Sequence, residues 1–323
     1  MNKQPLVTIL LPVYNVEAFL PQCMDSLIHQ TYTNLQIVLI DDGSRDCSWQ
    51  VMQEYAKKDS RIEIYHQDNR GVAATRNHLL EKVKGDYVLF VDSDDWVELH
   101  MVEFLVTKNL KNDADVAICS HVINDSPVSS CYDEQLLDQE TVIKKFLFHK
   151  ELKGSLWNKL VKTNLLHKLT FNPYISYGED ALFCWHFFQN AQKIVMTNRK
   201  LYHYRMNNTS ISHQSFGNKK LTGHITWSII TEETSKLWPQ YLGIAQARWG
   251  MEDMYLLRQA AQSRYKKNDS IRLLQKTVME YFPQMKASGL LFGKEVFNAF
   301  VMCRWYGYGI VYDWLNRLKS RML

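Results

Sequence analysis

Leu6-Val-Thr-Ile-Leu-Leu11, Leu35-Gln-Ile-Val-Leu-Ile40 and Asp86-Tyr-Val-Leu-Phe-Val91 decide the fold. Each is a short, strand-like apolar run, and Leu35 to Ile40 reads as a buried strand. Helical spacing separates them: Val16, Phe19, Leu20, Cys23, Met24 and Leu27 recur along one face, and Val51 to Ala56 and Ala73 to Val83 follow suit. Arg61 to His66 and Val116 to Ser120 extend the strand series. Strands alternating with helices predict an α/β domain with a mostly parallel, Rossmann-like sheet flanked by helices.

In such sheets ligands bind beyond the carboxyl ends of the strands. Three of those ends are polar: Pro12-Val-Tyr-Asn15, Asp41-Asp42-Gly43-Ser44 and Asp92-Ser93-Asp94-Asp95. Carboxylates crowded at neighbouring strand ends repel one another unless a cation joins them. Asp92 and Asp94, two residues apart, can share one hard divalent ion, Mn2+ or Mg2+, that also holds a diphosphate. Taken alone, the same residues also fit plainer roles. Asp92 to Asp95 would cap a helix beginning near Val97, and Asp41 to Ser44 would form an ordinary turn. Arg76, opening a helix after Gly71, places a cationic fork suited to a base or a phosphate, or is simply a surface arginine.

The bulk properties bound the function. The chain has 323 residues, 46% of them hydrophobic, enough for a large domain with a smaller one or for two moderate ones. A net charge of only +4 argues against a general grip on nucleic acid. The six cysteines form no CxxC pair, so they read as reduced thiols of a cytoplasmic protein and not as a zinc site. Neither a secretory signal nor an uncharged apolar run of roughly 20 residues is visible, and an intracellular location is expected.

The ordered set Pro12-Val-Tyr-Asn15, Ile40-Asp-Asp-Gly-Ser44, Asn69-Arg-Gly71 with Arg76-Asn77, and Val91-Asp-Ser-Asp-Asp95 closely resembles the family 2 glycosyltransferases, enzymes of the GT-A fold. The resemblance covers about Pro5 to Ser215 and implies roles position by position. Asp42 would read the uracil edge of a UDP-sugar, with Pro12, Tyr14 and Asn15 lining the base. Asp92 and Asp94 would be the DxD pair, Asp94 the metal ligand and Asp92, with Ser93, nearer the ribose. Arg76 would contact the nucleotide.

Tyr177-Gly178-Glu179-Asp180 is similar to the family's acceptor-side element, which makes Asp180 the general base of an inverting transfer. An acceptor hydroxyl must lose its proton as it attacks the anomeric carbon, and a carboxylate opening a helix is favoured in its charged form. Asp180 as a plain helix cap is the rival reading. Tyr202-His203-Tyr204-Arg205 with Asn208 to Ser212 resembles a segment that closes over the diphosphate. It makes Arg205 a candidate phosphate clamp and His203 a second donor contact, against a reading as strand and polar linker. Trp157-Asn-Lys159-Leu160 also matches, without a role for Lys159.

The expected organisation is a catalytic GT-A domain over 1–215, with a nucleotide-sugar half over 1–120 and an acceptor-side half over 121–215. A helical region, 216–323, follows, with helices at His224 to Leu237, Ala245 to Ala261 and Ile271 to Tyr281. From Gln284 onward six basic residues face two acidic ones, interleaved with aromatics such as Trp305, Tyr308 and Trp314. Such a tail fits either peripheral contact with the inner face of the cell membrane or a helical appendage packed on the protein. The function expected is transfer of a hexose or N-acetylhexosamine from a UDP-sugar to a hydroxyl of a lipid-linked or protein-linked glycan, in bacterial surface polysaccharide or glycoprotein synthesis. The alternatives are an inactive nucleotide-sugar-binding protein and a nucleotidyltransferase. The second would need a Gly-rich basic loop where Pro12 to Asn15 stand.

Overall fold

The computed structural model describes residues 4–123, 132–206, 216–291, 298, 301, 306 and 307. The chain folds as two compact units, one comprising 1–143, 154–173 and 183–207, the other 144–153, 174–182 and 208–323.

The first unit is built on a nine-stranded sheet. Its strands are β1 (Val7–Val13), β2 (Leu35–Asp42), β3 (Ile62–Gln67), β4 (Tyr87–Phe90), β5 (Trp96–Val97), β6 (Val116–Ile123), β7 (Glu134–Asp138), β8 (Lys159–Lys162) and β9 (Lys193–Tyr204). They lie in the order β3-β2-β1-β4-β8-β6-β9-β5, with β7 added on β9. β3, β2, β1 and β4 are mutually parallel, as are β6 and β9, whereas β8 runs antiparallel between β4 and β6. All eight residues of β2 are buried, the mark of a strand covered on both faces.

Helix α1 (Leu20–Ile28) opens with proline in its first turn, where no amide partner is needed. Its Leu20, Cys23, Met24 and Leu27 lie on the sheet with Val7, Ile9, Leu11 and Val13 of β1 in one continuous core. Each fully buried leucine or isoleucine there contributes about 1.5–3 kcal/mol. The unit also carries α2 (Ser48–Lys58), α3 (Val72–Leu80) and α4 (Met101–Asn112). Two further helices, α5 (Gln139–Phe148) and α6 (Glu179–Phe188), follow in the chain.

The helix expected near Val97 begins instead at Met101, and Trp96–Val97 form β5, paired with Tyr202 and His203 of β9. The acidic tetrad therefore lies in a turn before a strand and does not cap a helix. The second unit contains α7 (Thr222–Leu237), α8 (Leu242–Gln262) and α9 (Asn268–Ala287). Its core includes Leu256, Leu257, Ala260, Leu274, Val278 and Met285, with Tyr306 packed against it. Among the described residues no helix is long and apolar enough to cross a membrane. Most of the basic aromatic tail, like Asn208 to Ser212, lies outside the described residues.

Candidate active site

β1, β2 and β4 are neighbours and parallel, so their carboxyl ends bring the three polar segments to one edge. Ser93 Oγ donates to the Pro12 carbonyl at 2.8 Å and ties the acidic turn to the end of β1. Tyr14 is exposed beside it. Asn15 has φ of 51°, a conformation asparagine tolerates better than most residues. Its amide donates to Ser44 Oγ (2.9 Å), while its Oδ1 accepts from the Arg45 amide (2.8 Å).

Asp42 is buried and organises the next loop. Its Oδ1 accepts from Gln67 Nε2 at 2.8 Å and from the Arg70 amide at 2.9 Å, and its Oδ2 accepts from the Gly71 amide at 2.9 Å. Gly43 turns the chain here with φ of +70°, and a Cβ on it would come within 2.8 Å of the Asn69 amide nitrogen. Only glycine meets both demands. The neighbouring Asp41 pairs with His66 Nδ1 at 2.7 Å.

The turn Asp92–Asp95 closes with a bond from the Asp95 amide to the Asp92 carbonyl (3.1 Å). Tyr202, fully buried on β9, supports it from below: its hydroxyl accepts from the Asp92 amide at 3.2 Å and donates to Asp95 Oδ2 at 2.7 Å. The Arg205 amide donates to Asp95 Oδ1 at 2.7 Å, so both Asp95 oxygens serve the scaffold. Burial, reinforced by the charges of Asp92 and Asp94, pushes the Asp95 carboxyl up to about 8. Burial likewise raises Asp94, partly offset by its own backbone hydrogen bond and by Arg205.

An oxygen-only set of carboxylates such as Asp92 and Asp94 suits Mn2+ or Mg2+. Among the described residues no three His, Cys, Asp or Glu side chains form a complete metal cage.

Arg205 is fixed beside the turn. Its Nε donates to the Asp94 carbonyl (2.8 Å), its Nη2 reaches Gln22, and its guanidinium lies over the rings of Trp96 (4.6 Å) and Phe19 (5.0 Å). His203 stacks on Trp96 at 4.9 Å and pairs with Glu98 at 2.7 Å. Arg76, on α3, is 5% exposed and points an Nη2 at Asp92 Oδ1, 3.4 Å away. Asn77 beside it pairs twice with the Phe171 backbone, donating to the carbonyl (2.9 Å) and accepting from the amide (2.7 Å). Phe171 in turn lies 5.6 Å from the Arg76 guanidinium.

Asp180 belongs to the second unit. It stands in the first turn of α6 with Glu179, after a loop whose Ser176 and Tyr177 amides both donate to Thr222 Oγ1, at 3.1 and 2.9 Å.

The sequence profile of glycosyl transferase family 2 matches residues 8–170, just over half of the chain. The chain belongs to glycosyltransferase family 2. Glycosyltransferase GlyA of Streptococcus pneumoniae is 35% identical over 223 residues, 64% of this chain but 31% of that relative, so the chain spans about a third of GlyA's length. Among solved structures, S. aureus TarS in complex with UDP-GlcNAc superposes with a TM-score of 0.66 at 18% identity, covering 86% of this chain and 81% of TarS. The mannosyltransferase PcManGT of Pyrobaculum calidifontis, in complex with GDP-Man and Mn2+, gives 0.55 at 14% identity over 94% and 88% of the two chains. These likenesses show the fold, which is GT-A.

In this member of family 2 one edge of the first unit gathers Pro12, Tyr14, Asn15, Asp42, Arg76, Asp92, Ser93, Asp94 and Arg205, with His203 on β9 paired to Trp96. Tyr202 and Trp157 stand in stretches matched to the family, but the sequence gives neither a role. Trp157 stacks on Tyr202 at 4.4 Å and holds the ring whose hydroxyl props the acidic turn. The signal was present in the alternation of strand β9, which sends Tyr202 to the face opposite His203. The matched Lys159 is buried, and its Nζ binds the Ser155 carbonyl and Asn158 Oδ1.

Proposed function

We propose that the chain is an inverting, metal-dependent glycosyltransferase that moves a hexose or N-acetylhexosamine from a UDP-sugar to a glycan hydroxyl. The observation that carries this reading is the acidic turn Asp92–Asp95, tied by Ser93 to the polar end of β1 and braced by Tyr202 and Arg205, in a family 2 chain. The UDP-GlcNAc bound by TarS, a protein of the same fold, favours a UDP-sugar donor.

Asp42 and the loop it orders, with Pro12, Tyr14 and Asn15, receive the uracil. Asp92 and Ser93 lie toward the ribose, and Arg76 meets the nucleotide. Asp94, assisted by Asp92, would hold Mn2+ or Mg2+, which when bound supplies positive charge to the departing diphosphate. Arg205, held between Phe19 and Trp96, adds a fixed cation next to the same turn, and His203 backs Trp96. Asp180 takes the proton of the acceptor hydroxyl as its oxygen forms a bond to the anomeric carbon. The bond from that carbon to the diphosphate breaks on the opposite face, and UDP leaves with the electron pair. The acceptor proposed is a lipid-linked or protein-linked glycan of the bacterial surface.

The test is Asp180→Asn, assayed as UDP release from UDP-glucose, UDP-galactose, UDP-GlcNAc and UDP-GalNAc with Mn2+, alongside calorimetric UDP binding. Turnover falls by about a hundredfold or more, within the usual range for a lost general base, while UDP affinity stays close to the parent's. Full turnover in this variant contradicts the assignment of the base.

A further inference from the structure

The loop that carries Asp180 is gripped by residues of α7, beyond the 8–170 span matched by the family profile. Thr222 Oγ1 accepts from the Ser176 and Tyr177 amides and donates to the Lys219 carbonyl at 2.6 Å, so one hydroxyl satisfies two amides that no strand or helix uses. One residue on, Gly223 lies under the Tyr177 ring, and a Cβ there would come 2.9 Å from Tyr177 Cδ1. One turn later, Thr226 packs against Gly178, where a Cβ would meet Thr226 Oγ1 at 2.9 Å. Gly178 has φ of +90°, and its carbonyl accepts from the Leu182 amide, so the grip ends where α6 begins.

Behind this contact the packing is polar. Glu252 of α8 is buried, its carboxyl raised by burial, and pairs with Arg248 at 2.8 Å, whose guanidinium lies 5.0 Å from the Trp227 ring. Burial next to Glu252 raises the Tyr177 hydroxyl well above the usual tyrosine range. Glycine early in a helix is a poor helix former, and threonine is a weak one, so the Thr-Gly-x-x-Thr spacing is better explained by what it touches than by helix propensity.

We propose that Thr222, Gly223 and Thr226 are positioning residues for Asp180, which makes the helical region part of the catalytic apparatus. This rests on the reading of Asp180 as the base. α7 fixes the 176–178 backbone at three successive residues and so sets where the first turn of α6 presents its carboxylates. A base that must meet an acceptor hydroxyl within hydrogen-bond reach depends on such placement, and an ångström of drift is felt in turnover before it is felt in donor binding.

The experiment compares Thr222→Val, which keeps the shape but removes the acceptor for both amides, with Thr222→Ser, which keeps it. UDP release from UDP-GlcNAc with Mn2+ gives kcat and KM, and calorimetry gives UDP affinity. Thr222→Val is expected to lose tenfold or more in kcat with donor KM and UDP affinity within about twofold of the parent, and Thr222→Ser is expected to restore kcat. A kcat within about twofold of the parent in Thr222→Val, or equal losses in the valine and serine variants, overturns the proposal. Gly223→Ala is the second probe, since alanine favours the helix while its Cβ displaces Tyr177. It too should lose kcat selectively, and unchanged kcat there counts against the grip even if Thr222→Val does not fold. The two readings separate cleanly. A fully active Asp180→Asn removes the base assignment, whereas an inactive Asp180→Asn beside a fully active Thr222→Val removes only the positioning role.

Discussion

Replacing Tyr202 by phenylalanine removes one oxygen from the floor of the acidic turn and leaves the ring stacked on Trp157. That oxygen makes two buried hydrogen bonds, from the Asp92 amide (3.2 Å) and to Asp95 Oδ2 (2.7 Å). A bond to the mainly neutral Asp95 carboxyl contributes about 0.5–1.5 kcal/mol, and an amide left without its acceptor costs about 1–3 kcal/mol. Relaxation recovers part of this, and a net loss on the order of 2 kcal/mol is expected. For a unit of roughly 150–250 residues that corresponds to a fall of about 4–8 °C in melting temperature. The functional effect is directional. The turn that carries Asp92 and Asp94 loses its support from β9 and keeps ties such as Ser93–Pro12, Arg205–Asp95 and Arg205–Asp94, so UDP affinity measured with Mn2+ should weaken about tenfold, a change of about 1.4 kcal/mol. Differential scanning calorimetry and isothermal titration with UDP provide both readouts. A variant that melts within about 1 °C of the parent and binds UDP equally well refutes the argument that Tyr202 holds the turn.

Gly43→Ala forces a side chain into a backbone with φ of +70° and against the Asn69 amide, so it should destabilise by about 1–2 kcal/mol from conformation alone and lower the urea midpoint. UDP affinity should fall with it, because the 69–71 loop is displaced from Asp42; an unchanged midpoint and affinity defeat the prediction. Arg76→Lys keeps a cation but loses the planar fork, and UDP binding should weaken roughly tenfold. Parent-like affinity in the lysine variant means that Arg76 does not contact the donor.

Much of the sheet was legible because β1, β2 and β4 are buried on both faces and therefore carry unbroken apolar runs. The short strands were not. β5 has only Trp96 and Val97, and four acidic or polar residues before it imitate a helix cap, so its pairing with β9 could not be seen locally. β8, Lys159–Lys162, is only four residues long with lysine at both ends, and its place between β4 and β6 is set by contacts distant in sequence. In β7 only Leu137 is buried, so this edge strand carries no apolar run to mark it. The candidate donor residues were readable because strand ends concentrate polar chemistry in contiguous motifs. The bracing was not, since Tyr202 meets Asp95 across 107 residues and Thr222 meets Tyr177 across 45. In both cases the supporting side chain is an ordinary tyrosine or threonine whose role exists only in the folded chain.

In the proposed donor site Asp94 binds UDP through a divalent cation. This is tested most directly by calorimetric titration of UDP into the parent and Asp94→Ala proteins, each with Mn2+ and with EDTA. Tight binding to the parent with Mn2+ is expected, with a loss of roughly a hundredfold on adding EDTA, as fits a charge-assisted diphosphate contact, and the same weak binding to Asp94→Ala in both conditions. Equal UDP affinity for the parent with Mn2+ or EDTA, or Mn2+-dependent binding that survives in Asp94→Ala, contradicts it.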